Sequence, residues 1–113
     1  MEICDNVSAK ELFINGKNYD GKPITVRLKV IDVYPLNGET MLWCEDPSNP
    51  SYCFLVRDCT DGGSGASVGD TVEIYGDFYS ADTVSINGVG INFINMYYCL
   101  SDEISLSLLY TAA

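Results

Sequence analysis

The sequence predicts a mainly β domain, a five-stranded Greek-key barrel preceded by a short N-terminal helix. Runs of β-branched and aromatic residues recur along the chain, and turns rich in glycine, asparagine and proline separate them. The long run at 19–33 shifts its alternation near Ile31, and Gly76 interrupts a later run. Both features are typical of strands that bend sharply to close a barrel.

Composition indicates one globular domain over 1–113 and argues against several functions. Hydrophobic residues make up 47% of the chain, and no apolar run approaches the roughly 18 residues of a membrane span. There is no histidine, which excludes Ser-His-Asp and Cys-His catalytic arrangements and every zinc site that needs imidazole. We therefore expect no enzymatic activity, no metal and no cofactor.

The charge balance is strongly acidic, with six Lys and Arg against sixteen Asp and Glu and a formal charge of −10. Such a field repels phosphate backbones, so nucleic-acid binding needs a local basic patch strong enough to overcome it. An excess of acid also keeps a small β protein soluble and discourages its strand edges from pairing with neighbours.

The cysteines and the N-terminus indicate in which cellular compartment the protein is expected. The cysteines form no C-x-x-C pair and match no common zinc or redox pattern. Reduced thiols are favoured, because most of these cysteines lie in apolar runs; disulfides such as Cys53–Cys59 or Cys44–Cys53 are the alternative. The N-terminus lacks the basic start and apolar core of a signal peptide. We expect a soluble chain, cytoplasmic or, where a signal segment was removed, extracytoplasmic. The five cysteines are Cys4, Cys44, Cys53, Cys59 and Cys99.

The short helix is predicted at residues 7–16, and the barrel is predicted at residues 22–100. Ser8 and Glu11 form an S-x-x-E capping box, and Asn15-Gly16 is a stop signal. A polar turn leads into the first strand, in which apolar residues occupy one face and Arg27 and Lys29 the other. The other four barrel strands are predicted at 40–44, 52–57, 71–79 and 91–100, and residues 82–87 can form a further brief strand. Residues 101–113 fit either a strand or a helix.

The irregular segment 58–69 contains a DGGSGAS core. It lacks the lysine and the following helix of a phosphate-binding loop, and it lacks the D-x-[DN]-x-[DN]-G spacing of a calcium loop. With no apolar anchor in this core, we expect a mobile surface loop.

Three stretches carry a family resemblance. An S-A-K-E-L helix, a Y-D-G-K turn with a β run ending in V-I-D-V, and V-G-D-T-V-E-I-Y-G-D-F resemble bacterial OB-fold domains of the tRNA-anti-like type, over about 7–100. The resemblance implies a five-stranded OB-fold barrel and nucleic acid as the ligand class. Two departures are the loop at 58–67, where the family has a helix, and the tail after Asp102.

OB-folds bind ligands on the outer face of the second and third strands, where aromatic side chains stack on bases and cations contact phosphates. The residues expected on this face are Arg27, Lys29, Trp43, Tyr52, Phe54 and Arg57. In the alternative interpretation, Trp43 and Phe54 fill the barrel core and the cations pair with nearby acids.

Two functional hypotheses follow. The first is a non-catalytic binding module for single-stranded nucleic acid or another oligomer, which the resemblance favours. The second is a protein-interaction or structural module of a larger envelope or secreted protein, which the net negative charge favours. Fold analogy alone is a weak warrant for function, so the side chains of the outer face must decide between them.

Overall fold

The structure is a computed structural model and describes residues 5–101. The helical elements are α1 (Ala9–Ile14) and a 3-10 helix (Gly16–Tyr19). The strands are β1 (Asp5–Asn6), β2 (Lys22–Leu36), β3 (Glu39–Asp46), β4 (Asn49–Asp58), β5 (Thr71–Tyr79), β6 (Ser85–Ile86), β7 (Val89–Gly90) and β8 (Phe93–Ser101). The predictions for Cys4 and for the tail from Asp102 onward lie outside the described residues.

The main sheet closes on itself. Its strand order is β1-β2-β3-β4-β8-β5, and β5 pairs again with β2. The pairs β1–β2 and β4–β8 are parallel, whereas the others are antiparallel. The last strand, β8, therefore lies between β4 and β5. This arrangement confirms the predicted mainly β, OB-like barrel with one short helix.

Strand β2 forms part of both sides of the barrel because it bends at a bulge. Its first half pairs with β5, its second half pairs with β3, and the register shifts between Val30 and Asp32. The predicted phase slip near Ile31 is this bulge. Before it, alternate residues fill the core; after it, Val33 takes over the inward position opposite Leu42. The inward residues of the first half are Ile24, Val26, Leu28 and Val30.

Gly76 lies at a second bulge, where β5 crosses β8. A Cβ atom at this position would lie 2.1 Å from the carbonyl oxygen of Asn95, so only glycine fits. The register with β8 shifts between Tyr75 and Gly76, where the sequence predicts a sharp bend, and β5 continues through this position. The predicted bounds of the strand, 71–79, match β5.

Helix α1 packs against the core through its apolar side. The Ser8 hydroxyl accepts a hydrogen bond from the Glu11 N–H at 3.1 Å, as the capping box predicts. Leu12 is fully buried, and the ring of Phe13 lies 5.1 Å from Tyr52 and 6.1 Å from Phe54, measured between centroids. A six-residue helix is marginal alone, and this burial stabilises it.

Several element boundaries differ from the predicted ones. The helix ends earlier than predicted, and a 3-10 helix occupies part of the predicted polar turn. Strands β3 and β4 are longer than predicted, which reduces the turn between them to Pro47 and Ser48. The Asp46 carboxylate caps this turn by accepting the Ser48 N–H at 2.9 Å. Pro50 is accommodated because the register shifts beside it, between Glu45 and Asp46.

Two carboxylates hold the segment 59–70: Asp70 accepts the Ser67 N–H at 2.9 Å, and Asp58 makes the larger set of hydrogen bonds. Asp58 accepts the backbone N–H groups of Thr60 and Ser64, each at 3.0 Å, and both of their hydroxyls. Ala66 packs against the core, so the expectation that this segment has no apolar anchor is wrong. Desolvation raises the pKa of Asp58, but the four hydrogen bonds outweigh it and hold the pKa below its ordinary value.

We expect Gly76→Ala to lower the free energy of unfolding by about 3 kcal/mol, because the new methyl group overlaps the backbone of β8. Urea unfolding followed by tryptophan fluorescence measures the change. Gly88→Ala is the matched control: its Cβ meets open space and its positive φ costs about 1 kcal/mol. An equal loss in the two variants would contradict the close contact.

We expect Asp58→Asn to destabilise the fold by roughly 1–3 kcal/mol at pH 7, because the amide accepts these hydrogen bonds less well. The pKa of Asp58 is lowered in the folded state, so its contribution is present above the unfolded value near 3.8 and is lost as the pH falls through the folded value. The difference from the parent chain should shrink below about pH 4. Urea unfolding across this pH range measures it, and Asp61→Asn on the same segment is the control.

Candidate functional site

Two rows of outward side chains cross β2, β3, β4 and β8. Residues directly opposite each other on paired strands share a face of the sheet. The partners on the other face, including Leu42, Phe54 and Val56, fill the core. We call the two rows of outward side chains the outer face. The first row is Tyr34, Met41, Arg57 and Asn95; the second is Asp32, Trp43, Leu55 and Phe93.

The outer face has an apolar floor. Met41 and Leu55 are only 5% and 2% exposed, yet they do not belong to the core cluster inside the barrel. Tyr34, Trp43 and Phe93 are half-buried beside them. The floor and its aromatic neighbours therefore form a second apolar layer on the outside of the sheet, within reach of a ligand.

Arg57 is the cation of this face. Its Nε atom lies 3.4 Å from a carboxylate oxygen of Glu39, and its side chain is 39% exposed. A hydrogen bond to Cys59 is the largest cause that raises the pKa of Arg57. Among the described residues, the shielded Nε atom of Arg57 and the Oδ1 atom of Asn95 are without hydrogen-bond partners. Both atoms are shielded from solvent, and the ion pair with Glu39 is the polar contact of Nε.

Arg27 and Lys29 lie on a different part of the barrel. Both are exposed on the half of β2 that pairs with β5, where Arg27 faces Glu73. Lys29 also faces Glu45 of β3. The row of Tyr34 lies seven residues beyond Arg27 and five beyond Lys29 along β2, on the far side of the bulge between Val30 and Asp32. These two cations and Arg57 therefore do not form one basic patch.

The expectation that Tyr52 and Phe54 belong to the outer face is corrected by the structure. Phe54 is fully buried in the core, and Tyr52 packs against the core and Phe13. Alternate residues of β4 point to opposite sides, and it is the set of 52, 54 and 56 that points inward. Of the six residues expected here, Trp43 and Arg57 remain on the outer face.

Tyr34, Phe93 and Asn95 were missed by the sequence argument. The bulge in β2 decides that Tyr34 points outward, and the parallel pairing of β4 with β8 brings Phe93 and Asn95 beside Leu55 and Arg57. The phase slip near Ile31 was the available signal for Tyr34. The parallel pairing has no local signal in the sequence.

The structure rules out the alternative disulfide Cys44–Cys53 between β3 and β4. Cys44 lies opposite Phe54 and points into the core, whereas Cys53 lies opposite Glu45 and points outward, so this pair cannot form a disulfide. Cys44, Cys53, Cys59 and Cys99 are free. Within residues 5–101, no group of three or more Cys, Asp or Glu side chains could hold a metal ion.

The comparisons with known proteins identify the fold. No family model matches the chain, and no curated protein matches its sequence. The chain is similar to the crystal structure of a protein assigned as an aspartyl-tRNA synthetase from Leishmania major Friedlin, with a TM-score of 0.63 and 9% identity. The match covers 89% of this chain and 21% of that one. It shows a shared fold, which supports the tRNA-anti-like resemblance at that level. None of the helices within 5–101 is long and apolar enough to cross a membrane.

We expect Cys44 to resist alkylation in the folded protein, because burial raises the pKa of its thiol to about 12. At pH 8 only about one Cys44 in ten thousand is then a thiolate, the form that reacts. Cys53 and Cys59, both half-buried, should react first with iodoacetamide. Mass spectrometry of peptides measures the labelling, and protein unfolded in urea is the control. Rapid labelling of Cys44 without unfolding would contradict its burial.

Proposed function

We propose that this chain is a non-catalytic OB-fold binding module that takes up single-stranded nucleic acid on the outer face. The observation that carries the proposal is the position of Trp43. It is the single tryptophan of the chain, it points outward from β3, and it is half-buried beside Leu55. A base stacked on such a ring contributes about 1–3 kcal/mol, whatever its identity.

Arg57 supplies the polar part of the proposed contact. It lies diagonally across from Trp43, because Trp43 pairs with Leu55 and Arg57 with Met41. Diagonal neighbours on one face are within reach of long side chains. The planar guanidinium can stack on a base or contact a phosphate. The Nε atom is shielded and lies beside Glu39, so the exposed remainder of the Arg57 side chain is the part that can make this contact.

The comparison supports the class of ligand. The similar structure carries the name of an aspartyl-tRNA synthetase, and that name specifies tRNA as its substrate. Since the outer face holds one cation paired with Glu39, stacking must dominate over phosphate contacts. The affinity should therefore change little with salt, with a logarithmic slope of about −0.7 for one neutralised phosphate.

A second candidate is a protein-interaction module. This candidate is favoured because each of the three cations expected to contact phosphate has an acidic residue beside it. Glu39 lies 3.4 Å from Arg57, and in the strand register Glu73 faces Arg27 and Glu45 faces Lys29. Such pairing reduces the attraction for phosphate, but it does not oppose binding to a neutral or cationic protein surface.

We expect a fluorescein-labelled dT12 oligonucleotide to bind the chain near 50 mM salt, with fluorescence anisotropy as the measurement. Trp43→Ala should weaken binding about 5- to 150-fold, because it removes the stacking surface. Trp43→Phe retains an aromatic ring and should lose less. Lys10→Ala, which removes an exposed cation of α1, is the control for net charge.

Two outcomes would overturn the proposal. If dT12 does not bind near 50 mM salt, the first candidate fails and the protein-interaction module remains. If dT12 binds but Trp43→Ala and Lys10→Ala have equal effects, binding is electrostatic and does not use the outer face.

A further inference from the structure

A second aromatic surface lies on the outside of β5 and β8. We call it the tyrosine face: Tyr75, Tyr97 and Tyr98, with the acids Glu73 and Asp77. Tyr97 is 54% exposed and Tyr98 is 43% exposed, which are high values for rings in the middle of a strand. Isolated exposed aromatics are common, but two adjacent ones beside a third form a contiguous patch.

The bulge between β5 and β8 creates this surface. Met96 pairs with Gly76 and Tyr98 pairs with Tyr75, so Tyr97 has no opposite residue. In a regular strand one of two consecutive residues points inward. Here Met96 and Cys99 point inward, and both tyrosines between them point outward. The extra residue of a bulge re-aims side chains in this way, and such bulges occur often beside functional sites.

The rings of this face are held in place before any partner binds. The Tyr75 and Tyr98 rings pack at 5.5 Å between centroids, tilted by 54°. The Tyr75 hydroxyl donates to a carboxylate oxygen of Glu73 at 3.1 Å. Burial and the neighbouring Asp77 carboxylate raise the pKa of Tyr97. Side chains that are already ordered lose little conformational entropy on binding, which is why tyrosine dominates many protein-binding surfaces.

The charges around the tyrosine face select the partner. Strands β5 and β8 contain Glu73 and Asp77 but no Lys or Arg, and Asp70 directly precedes β5. Two cations border this face, and each has an acid beside it: Arg27 of β2 faces Glu73, and Arg57 of β4, which interacts with Tyr97, lies 3.4 Å from Glu39. The chain as a whole carries −10. A phosphate chain and a second copy of this acidic protein are both repelled by such a surface. A cationic partner is attracted to it.

We propose that the tyrosine face docks an extended, Arg- and Lys-rich segment of a partner protein. Guanidinium or ammonium groups would lie over the rings of Tyr97 and Tyr98, where the negative face of an aromatic ring attracts cations. The oxygens of Asp77 would accept hydrogen bonds from the same groups. The proposal does not rest on nucleic-acid binding, because it uses β5 and β8 rather than Trp43 of β3.

The test is a titration of the ¹⁵N-labelled full chain with a twelve-residue peptide of alternating arginine and glycine, followed by NMR. We expect amide shifts to concentrate at 73–77 and 97–98. Calorimetry should show that a Tyr97→Ala, Tyr98→Ala double variant binds at least fivefold more weakly. The matching Tyr→Phe variant keeps both rings and should keep most of the affinity. Asp61→Asn with Asp82→Asn, at exposed positions outside these strands, is the control for charge.

Four results would overturn the proposal. They are the absence of peptide binding, shifts spread evenly over the acidic surface, shifts confined to β3 and β4, and an equal loss of affinity in the tyrosine and aspartate variants. A parallel titration with dT12 separates this face from the outer face: shifts at 97–98 with dT12, but not with the peptide, would assign the tyrosine face to nucleic acid instead.

Discussion

The pairing of β2 with two different strands is the constraint on which the rest of the structure depends. A strand can close a barrel only if it bends, and β2 bends at the bulge between Val30 and Asp32. The same bulge exchanges the inward and outward positions of the strand. It directs Val33 toward the core and leaves Asp32 and Tyr34 outside, beside β3. Closure of the barrel and construction of the outer face therefore have one cause.

The bulge at Gly76 acts in the same way on the other side of the barrel. The backbones of β5 and β8 approach so closely there that a Cβ atom would overlap a carbonyl oxygen. The extra residue on β8 exposes Tyr97 and Tyr98 together. Both surfaces that could bind a partner thus depend on an irregularity of the sheet. Each irregularity interrupts local pairing, and the closed ladder around it maintains the fold.

The chemistry of the surface is aromatic and acidic rather than basic. Arg57 has Glu39 beside it, and Arg27 faces Glu73, so the cations are screened where they stand. Stacking needs no net positive charge, which reconciles an OB-fold binding face with a chain of charge −10. A partner protein surface rich in Arg and Lys is not repelled by the negative charge of this chain. The two proposed binding faces therefore need not select the same class of partner.

The sequence by itself determined the β class, the bent first strand, the bounds of β5 and the capped helix. Each depends on neighbours in the chain: alternation, glycine positions and Ser8 near Glu11. Only the tertiary structure decided that Phe54 is core and Phe93 is surface. Alternation separates the two sides of a strand but does not say which side faces inward. That choice depends on barrel closure and on the parallel pairing of β4 with β8, which are contacts between residues distant in sequence.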